Sequence, residues 1–211
     1  ADSDFGAASS WSGALTRAMI GVVRTRFVGT LTFSGAVRDG VIQLSFVTQA
    51  RIDISGAWIN GTLEVSDTLC DSVNYCYYVT STSIATNSVH RFMRSVLRAT
   101  INGAVRYTVA SMGASSAFEA SSTWFLSPTN PALYLQASTG VVRIASDCVF
   151  TGSVHITWSA ASSGSVVNLH NSQLTSVNIA VTGSASWFAI HMTNTTASSS
   201  VAVSATGGFI T

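Results

Sequence analysis

Carboxylates and histidines are the side chains that catalysis would need, and in this chain their spacing forms no catalytic motif. Glycoside hydrolysis uses two carboxyl groups that face one groove, and the local candidates are Asp53, Glu64, Asp67 and Asp71. Glu64 stands at a variable position of a strand-like segment, which predicts that it faces solvent. The four histidines lack the HxH and HxxxH spacings of metal sites, and there is no GxSxG segment to single out a nucleophilic serine. We therefore expect no catalytic residue, no metal ion and no cofactor.

Arginines and a tryptophan are the candidate ligand contacts. Arg91, Arg94 and Arg98 recur at short intervals and can form a small basic patch for an acidic glycan. The alternative interpretation is that they are the solvated side of their segment. Trp124 lies in a Ser- and Pro-punctuated stretch, 111–131, that we predict to be a long loop, and an exposed ring there can stack on a sugar.

Cysteines and glycosylation sequons bear on the cellular compartment. Cys70 and Cys76 have a spacing that can close a small disulfide loop, and it is not the CxxC spacing of zinc or redox sites. Cys148 is predicted to be buried. Sequons begin at Asn60 and Asn194, and both would be glycosylated in a secreted chain. Together these features favour an extracellular or cell-surface location.

Charge is sparse in this sequence. Charged residues make up 9% of the chain, against roughly a quarter in ordinary domains, and none occurs from Cys148 onward. The net charge of +1 gives no electrostatic attraction for nucleic acid. No apolar run approaches the roughly 18–20 residues that span a bilayer. A hydrophobic fraction of 47% excludes classical disorder.

The elements that must position these side chains are predicted by a repeat in the last third of the chain. The triplet 142–144 returns at 167–169 and 190–192, and a second triplet at 154–156 returns at 177–179 and 201–203. Each triplet alternates apolar, variable, apolar, as a strand with one buried face does. Short strands that return every 20–30 residues indicate a solenoid. Stacked coils also explain the missing charge, since like charges about 4.8 Å apart repel.

A glycine-containing motif extends the pattern toward the N-terminus, at 27–33, 59–65, 101–107 and 150–156. We predict one parallel β-helix (β-solenoid) over 1–211, right-handed, with irregular coils and insertions over 1–130 and regular coils of 23–25 residues over 131–211. Apolar spacing at 88–97 and 11–23 predicts two short helices within the irregular part. An antiparallel β-sandwich or jelly roll is the alternative fold, because the Asn-Gly pairs at 60–61 and 102–103 favour hairpin turns.

Two segments, FTGSVHITWSAASS and VVNLHNSQLTSVNIAVTGSASWFAIHMTN, carry a resemblance to a known family. Over residues 132–211 the chain resembles the dispersed gene family surface proteins of trypanosomes, which are very long, lysine-poor chains with β-helix-like repeats. The resemblance implies a surface or secreted protein that adheres to host cells or matrix. It supplies no catalytic residue to transfer to this chain.

The sequence favours a structural or adhesive, non-enzymatic β-helix segment of a longer chain, whose adjacent coils would continue the stack. Its expected partners are glycans or host-surface and matrix proteins, and not nucleic acid. A polysaccharide-active β-helix enzyme, a lyase or a glycoside hydrolase, is the first alternative and requires at least two carboxylates in one groove. A viral capsid or fibre protein is the second alternative and would assemble into particles by itself.

Overall fold

The protein is a parallel β-solenoid. The computed structural model describes residues 3–5, 8–80, 84–109, 111–113, 115–128, 131–137, 141–145, 147–159, 165–182 and 188–206. In this part of the chain the strands form sheets of sixteen, eight and five strands that stack in about seven turns, without a helix. The predicted β-solenoid is therefore confirmed, and the alternative jelly roll is not favoured.

Short strands make up the whole of this architecture. In chain order they are β1 (Ser3–Phe5), β2 (Ser9–Trp11), β3 (Leu15–Thr16), β4 (Met19–Val23), β5 (Thr25–Phe33), β6 (Val37–Arg38), β7 (Val41–Ser45), β8 (Thr48–Ile54), β9 (Trp58–Ile59), β10 (Thr62–Ser66), β11 (Leu69–Ser72), β12 (Tyr77–Val79), β13 (Ile84–Thr86), β14 (Val89–Met93), β15 (Val96–Ala99), β16 (Val105–Thr108), β17 (Ser111–Met112), β18 (Ala117–Ser121), β19 (Trp124–Leu126), β20 (Leu133–Ala137), β21 (Val141–Ala145), β22 (Val149–Phe150), β23 (Val154–Trp158), β24 (Ser165–His170), β25 (Gln173–Leu174), β26 (Val177–Val181), β27 (Phe188–Thr193), β28 (Thr196–Ala197) and β29 (Val201–Ala205).

From β3 to β20, successive turns visit the three sheets in the same order. In the turn that starts at β10, the chain passes from the eight-stranded sheet to β11 and β12 of the sixteen-stranded sheet and then to β13 of the five-stranded sheet. One turn earlier, β8 is continuous and pairs with both β11 and β12. The sixteen-stranded sheet therefore has two halves, with a bend or loop between them in most turns.

The register confirms the equivalences predicted for the last third. Val142 pairs with Val167 and Val167 with Ile190 in the eight-stranded sheet. The triplets at 154–156, 177–179 and 201–203 pair in the sixteen-stranded sheet. Inward positions such as Val142 and Val154 are fully buried. Hydrogen bonds between neighbouring turns join residues from 21 to 31 positions apart in the earlier part of the chain.

The prediction that the glycine motif at 59–65 is structurally equivalent to its other copies is wrong. Thr62 pairs with Val41 in the eight-stranded sheet, so Gly61 lies at the corner between the five- and eight-stranded sheets. Gly29 lies at a register shift within β5, and Gly103 precedes β16, both in the sixteen-stranded sheet. Each of these glycines precedes a segment with the same apolar alternation. The sequence pattern therefore does not distinguish the position of Gly61 from those of Gly29 and Gly103.

The two predicted helices and the predicted long loop are also wrong. Residues 88–97 form β14 and the start of β15, residues 11–23 contain the last residue of β2 and all of β3 and β4, and 111–131 contains β18 and β19. Arg94, with φ of 47°, turns the chain between β14 and β15. Phe92 before this corner and Leu97 after it both face the core. The corner interrupts a two-residue alternation and leaves apolar spacings that imitate those of a helix.

A recurring corner joins the eight-stranded sheet to the sixteen-stranded sheet. Its first residue has φ between 44° and 61° in each turn: Arg24, Phe46, Asp67, Arg94, Ser122, Asp147, Asn171 and Asn194. This left-handed conformation is unfavourable for residues with a β-carbon. A hydrogen bond at the next residue closes the corner, since the hydroxyls of Thr68, Ser95 and Thr123 donate to the carbonyl two residues earlier at 2.8–2.9 Å.

Cys148 takes the place of these hydroxyl residues in its own turn. Its side chain is buried, as predicted, and burial raises the pKa of the thiol to about 11. A thiol with so high a pKa is uncharged at neutral pH and packs as a small apolar group.

Among the described residues there is no helix long and apolar enough to cross a membrane.

Candidate functional site

A column of outward-facing side chains brings aromatic rings and guanidinium groups together on the second half of the sixteen-stranded sheet. Parallel pairing places Asp53, Tyr78, Arg106, Tyr134 and His155 in successive turns. Equivalent residues of neighbouring parallel strands lie about 4.8 Å apart. The residues that alternate with them face the core, so this column is held at a fixed spacing above a rigid sheet.

Stacking of arginines on tyrosines organises the column. The Cζ atom of Arg51 lies 4.8 Å from the ring centroid of Tyr78. The Cζ atom of Arg106 lies 5.5 Å from the ring centroid of Tyr134 and 5.9 Å from that of Tyr75. The rings of Tyr75 and Tyr78 stack with centroids 5.2 Å apart and an interplanar angle of 19°. Each cation–π contact of this kind contributes about 0.5–1 kcal/mol at a partly exposed site.

Three of these side chains, Tyr75, Arg106 and Tyr134, line a cleft of about 270 Å³, which we call the tyrosine–arginine cleft. Its lining residues are Tyr75, Asn102, Gly103, Arg106, Pro131 and Tyr134. Arg106 Nη1 donates a hydrogen bond of 3.1 Å to Tyr75 Oη. This hydrogen bond raises the pKa of Arg106, so the guanidinium is charged at any physiological pH.

A disulfide holds Tyr75 at the cleft. Cys70 and Cys76, the predicted pair, are bonded with their Cα atoms 5.7 Å apart, and they close the bend between β11 and β12 that carries Tyr75. Asn102 Nδ2 donates a hydrogen bond of 3.1 Å to Asn74 Oδ1 and so ties this bend to the next turn. Closing a loop of this length stabilises the fold by about 2 kcal/mol in the chain-entropy model.

Gly103 is required by the close approach of the next turn. A β-carbon at this position would lie 2.1 Å from the carbonyl oxygen of Pro131, a backbone atom that cannot move aside cheaply. Glycine at this position therefore allows the backbone at Pro131 to pack directly against it and form part of the cleft wall.

The three arginines predicted to form a basic patch are ion-paired, and they lie in strands and a corner instead of on a helix. Each guanidinium pairs with a carboxylate of a neighbouring turn: Arg91 with Glu119 at 2.8 Å, Arg94 with Asp67 at 2.7 Å, and Arg98 with Asp71. The hydrogen bond from Arg94 lowers the pKa of the Asp67 carboxyl. Their positive charge is therefore largely balanced within the protein.

Arg91 belongs to a longer charge ladder on the eight-stranded sheet. Glu64, Arg91, Glu119 and Arg143 are register partners in four successive turns, so the sign alternates. Arg143 Nη1 lies 2.6 Å from Glu119 Oε1. Burial raises the pKa of the Glu119 carboxyl, but the hydrogen bonds from Arg91 and Arg143 outweigh it and hold the pKa below its ordinary value.

The carboxylates considered for catalysis are separated by this arrangement. Asp53 pairs with Arg51, and Glu64 Oε2 lies 3.8 Å from Arg91 Nη1. Asp67 and Asp71 pair with arginines of the following turn, as described above. Each carboxylate has its own arginine and its own column. Within the described part of the chain, no group of three or more His, Cys, Asp or Glu residues is placed to hold a metal ion.

Trp124 is exposed but stands apart from the cleft. It lies on the first half of the sixteen-stranded sheet, in an outward column with Leu69, Val96 and Val149. Its side chain is 52% exposed. This column presents apolar surface without a charged group among these four residues.

Both sequon asparagines are exposed at corners with positive φ, 50° at Asn60 and 48° at Asn194. Asn60 Nδ2 donates a hydrogen bond of 2.9 Å to Asp39 Oδ1, and Asn60 Oδ1 accepts one of 3.3 Å from Asn87. The amide of Asn60 is therefore a member of a side-chain ladder, whereas glycosylation at either position stays a prediction.

The cleft residues Tyr75, Arg106 and Tyr134 were not predicted from the sequence. A signal for two of them exists, because Arg106 and Tyr134 each stand between inward-facing residues, as His155 does in its own triplet. The longer turns in this region hide that register. Tyr75 lies in a bend, where no alternation marks it.

Comparison of the chain with protein-family models, with curated proteins and with solved structures gives no match. What the cleft can bind follows from its own groups. Two tyrosine rings offer flat apolar surface, Arg106 offers charged N–H donors, and Asn102 offers an amide. These groups suit recognition of a ligand that has both apolar faces and hydrogen-bonding groups.

Proposed function

We propose that this chain is a non-enzymatic β-helix domain of a cell-surface or secreted protein, which binds glycans in the tyrosine–arginine cleft. The observation that carries the proposal is that Arg106 lies against the rings of both Tyr75 and Tyr134. Sugar rings have apolar C–H faces and many hydroxyl groups. Tyrosine rings provide rigid amphipathic contact area for such faces at low entropic cost.

The size of the cleft favours recognition of a small part of a glycan. A volume of about 270 Å³ is just below the range of about 300–1,000 Å³ that is usual for ligand sites. It suits one sugar residue of a larger glycan better than an extended chain. An adhesive protein can collect useful affinity from several such weak sites when its ligands are multivalent.

The carboxylates support binding over hydrolysis. Glycoside hydrolases place two carboxyl groups on either side of the scissile bond. The described residues that line the cleft include no carboxylate. The carboxylates nearby are held by arginines, as Asp53 is by Arg51.

The compartment is supported by the disulfide and the sequons. Disulfides persist in oxidising environments such as the cell exterior, and the Cys70–Cys76 bond closes an exposed bend. The resemblance of 132–211 to trypanosome surface proteins implies the same location and points to host-cell or matrix glycans as ligands.

Binding to a broad glycan array, followed by titration of the best ligand, tests this proposal. Tyr134→Ala should weaken binding at least tenfold, because it removes one stacking face, whereas Trp124→Ala should bind as the wild type does. Circular dichroism checks that both variants fold. Absence of any glycan binding, or loss of binding only in Trp124→Ala, would contradict the proposed site. Release of sugar fragments by the wild type would support the enzyme alternative instead.

A further inference from the structure

We infer that the ligand of the tyrosine–arginine cleft carries a carboxylate, as uronic and sialic acid residues do, and that Arg106 binds this carboxylate. The inference rests on the proposed glycan-binding function and specifies the class of its ligand. Its basis is a difference between Arg106 and the other arginines of the central turns.

Arginines of the central turns share one feature, a carboxylate partner within the protein: Arg51 with Asp53, Arg91 with Glu119, Arg94 with Asp67, Arg98 with Asp71, and Arg143 with Glu119. Arg106 differs from all of them. In the described part of the chain it contacts the Tyr75 hydroxyl and two tyrosine rings, and no carboxylate. Its partners in the column are Tyr78 and Tyr134.

Among the described arginines of the central turns, Arg106 is thus the one whose positive charge no carboxylate balances, and it lies at a cleft. The side chain of Arg106 is half-buried, so its charge is less screened than that of a fully exposed arginine. The neighbouring Arg51 does not add to this charge, because Asp53 neutralises it. A negatively charged ligand group is the complement that the cleft lacks.

The geometry of the guanidinium favours a carboxylate. Arginine has five N–H donors in a planar fork that matches the two oxygens of a carboxylate. One Nη1 hydrogen donates to Tyr75, and the remaining donors have no hydrogen-bond partner among the described residues, which leaves them for a ligand. The rings of Tyr75 and Tyr134 hold the fork in place, which reduces the entropy lost on binding. A charge-assisted pair of hydrogen bonds is roughly twice as strong as a neutral pair.

Acidic sugars compared with their neutral counterparts test the inference. Suitable pairs are trigalacturonate with its methyl ester, and sialyllactose with lactose, together with a sulfated disaccharide. We expect the wild type to bind at least one carboxylated sugar ten or more times more tightly than its neutral counterpart. This preference should weaken as sodium chloride is raised, because the pair is electrostatic.

Variants separate the carboxylate contact from general binding. Arg106→Gln keeps a donor for Tyr75 and should remove the preference for the acid, so that the variant binds the acidic and the neutral sugar with about equal affinity. Arg98→Gln removes an arginine of the same turn that is already paired with Asp71, and it should keep the wild-type preference.

Equal binding of acidic and neutral sugars, with Arg106→Gln unchanged, would overturn the inference and leave the proposed glycan-binding function standing. Binding of the sulfated sugar in place of every carboxylated one would overturn it as well. A wild type that binds no sugar of the panel or of the broad array would overturn the proposed function, and the inference with it.

Discussion

His90 is a polar residue in an interior column that is otherwise apolar. Leu63 precedes it and Phe118 follows it in register, and its ring lies edge-on to that of Trp58 at 4.9 Å. Nδ1 of His90 shares a hydrogen bond with the hydroxyl of Tyr77, and Nε2 has no hydrogen-bond partner in the described part of the chain. Charging the ring would leave an unpaired charge inside the solenoid.

Acid should therefore destabilise the protein through His90. Burial lowers the pKa of His90 to about 3 in the folded chain, against about 6.5 when unfolded. The unfolded state binds the extra proton between these values, so stability that is present above pH 6.5 is lost toward pH 3. The loss is about 1.4 kcal/mol per pH unit. Urea unfolding of the wild type from pH 7 to pH 4 measures it.

His90→Asn is the variant that isolates this effect. Asparagine keeps a hydrogen-bonding amide near the position of Nδ1 but cannot take up a proton, so the difference from the wild type should shrink as pH falls. His170→Asn changes an exposed histidine and should follow the wild-type curve. Parallel stability curves for the wild type and His90→Asn would show that His90 does not cause the acid dependence.

Strands of the solenoid are kept in register by side-chain ladders as well as by backbone hydrogen bonds. The charge ladder on the eight-stranded sheet alternates in sign over four turns, so a slip of one residue would break every pair. Amide ladders do the same at corners, as between Asn60 and Asn87. Such ladders need outward positions that differ in a complementary way from turn to turn.

Removal of the central carboxylate of the charge ladder should lower the free energy of unfolding by a small but measurable amount. Glu119→Gln leaves Arg91 and Arg143 without their shared partner. Because these guanidinium groups are more than a third exposed, the expected loss is about 0.5–1 kcal/mol in dilute buffer. It should shrink in high salt. Unfolding at two salt concentrations measures this, with Asp147→Asn as a control of equal charge change; a salt-independent loss would contradict the ladder interpretation.

The whole molecule is a stack in which each turn contacts only its neighbours, so the cost of a core substitution depends on whether turns cover it from both sides. Leu135 is 0% exposed and pairs in register with Tyr107 before it and Ile156 after it. Val203 belongs to β29, the last strand of the sixteen-stranded sheet, and is 36% exposed.

Truncation of these two residues should therefore have unequal effects. Leu135→Ala should lower the free energy of unfolding by about 2–5 kcal/mol, since it opens a cavity between two turns. Val203→Ala should cost less than about 1 kcal/mol, because the residue it shortens is already in contact with water. Denaturant unfolding of both variants checks the difference, and similar losses would argue against a stack with nearest-neighbour stability.

Individual strands could be aligned from the sequence only where successive turns have nearly the same length. In the last third, the triplets at 142–144, 167–169 and 190–192 could be aligned because the turns there are nearly equal. In the earlier turns the lengths vary, and equivalent positions drift apart along the chain. The helix predicted at 88–97 is wrong because a left-handed corner at Arg94 breaks the alternation of two strands.

The sequence by itself determined the class of the fold, because two-residue alternation specifies a buried face and a repeated interval specifies stacking. Only the tertiary structure decided the cleft. Arg106 reaches Tyr75 across 31 residues of chain, and Asn102 reaches Asn74 across 28. In a solenoid the hydrogen bonds between turns decide which residues are neighbours, and their register depends on the length of every loop between them. The alternation of apolar and polar residues along one strand is independent of loop length, so it does not predict which residues of neighbouring turns are paired.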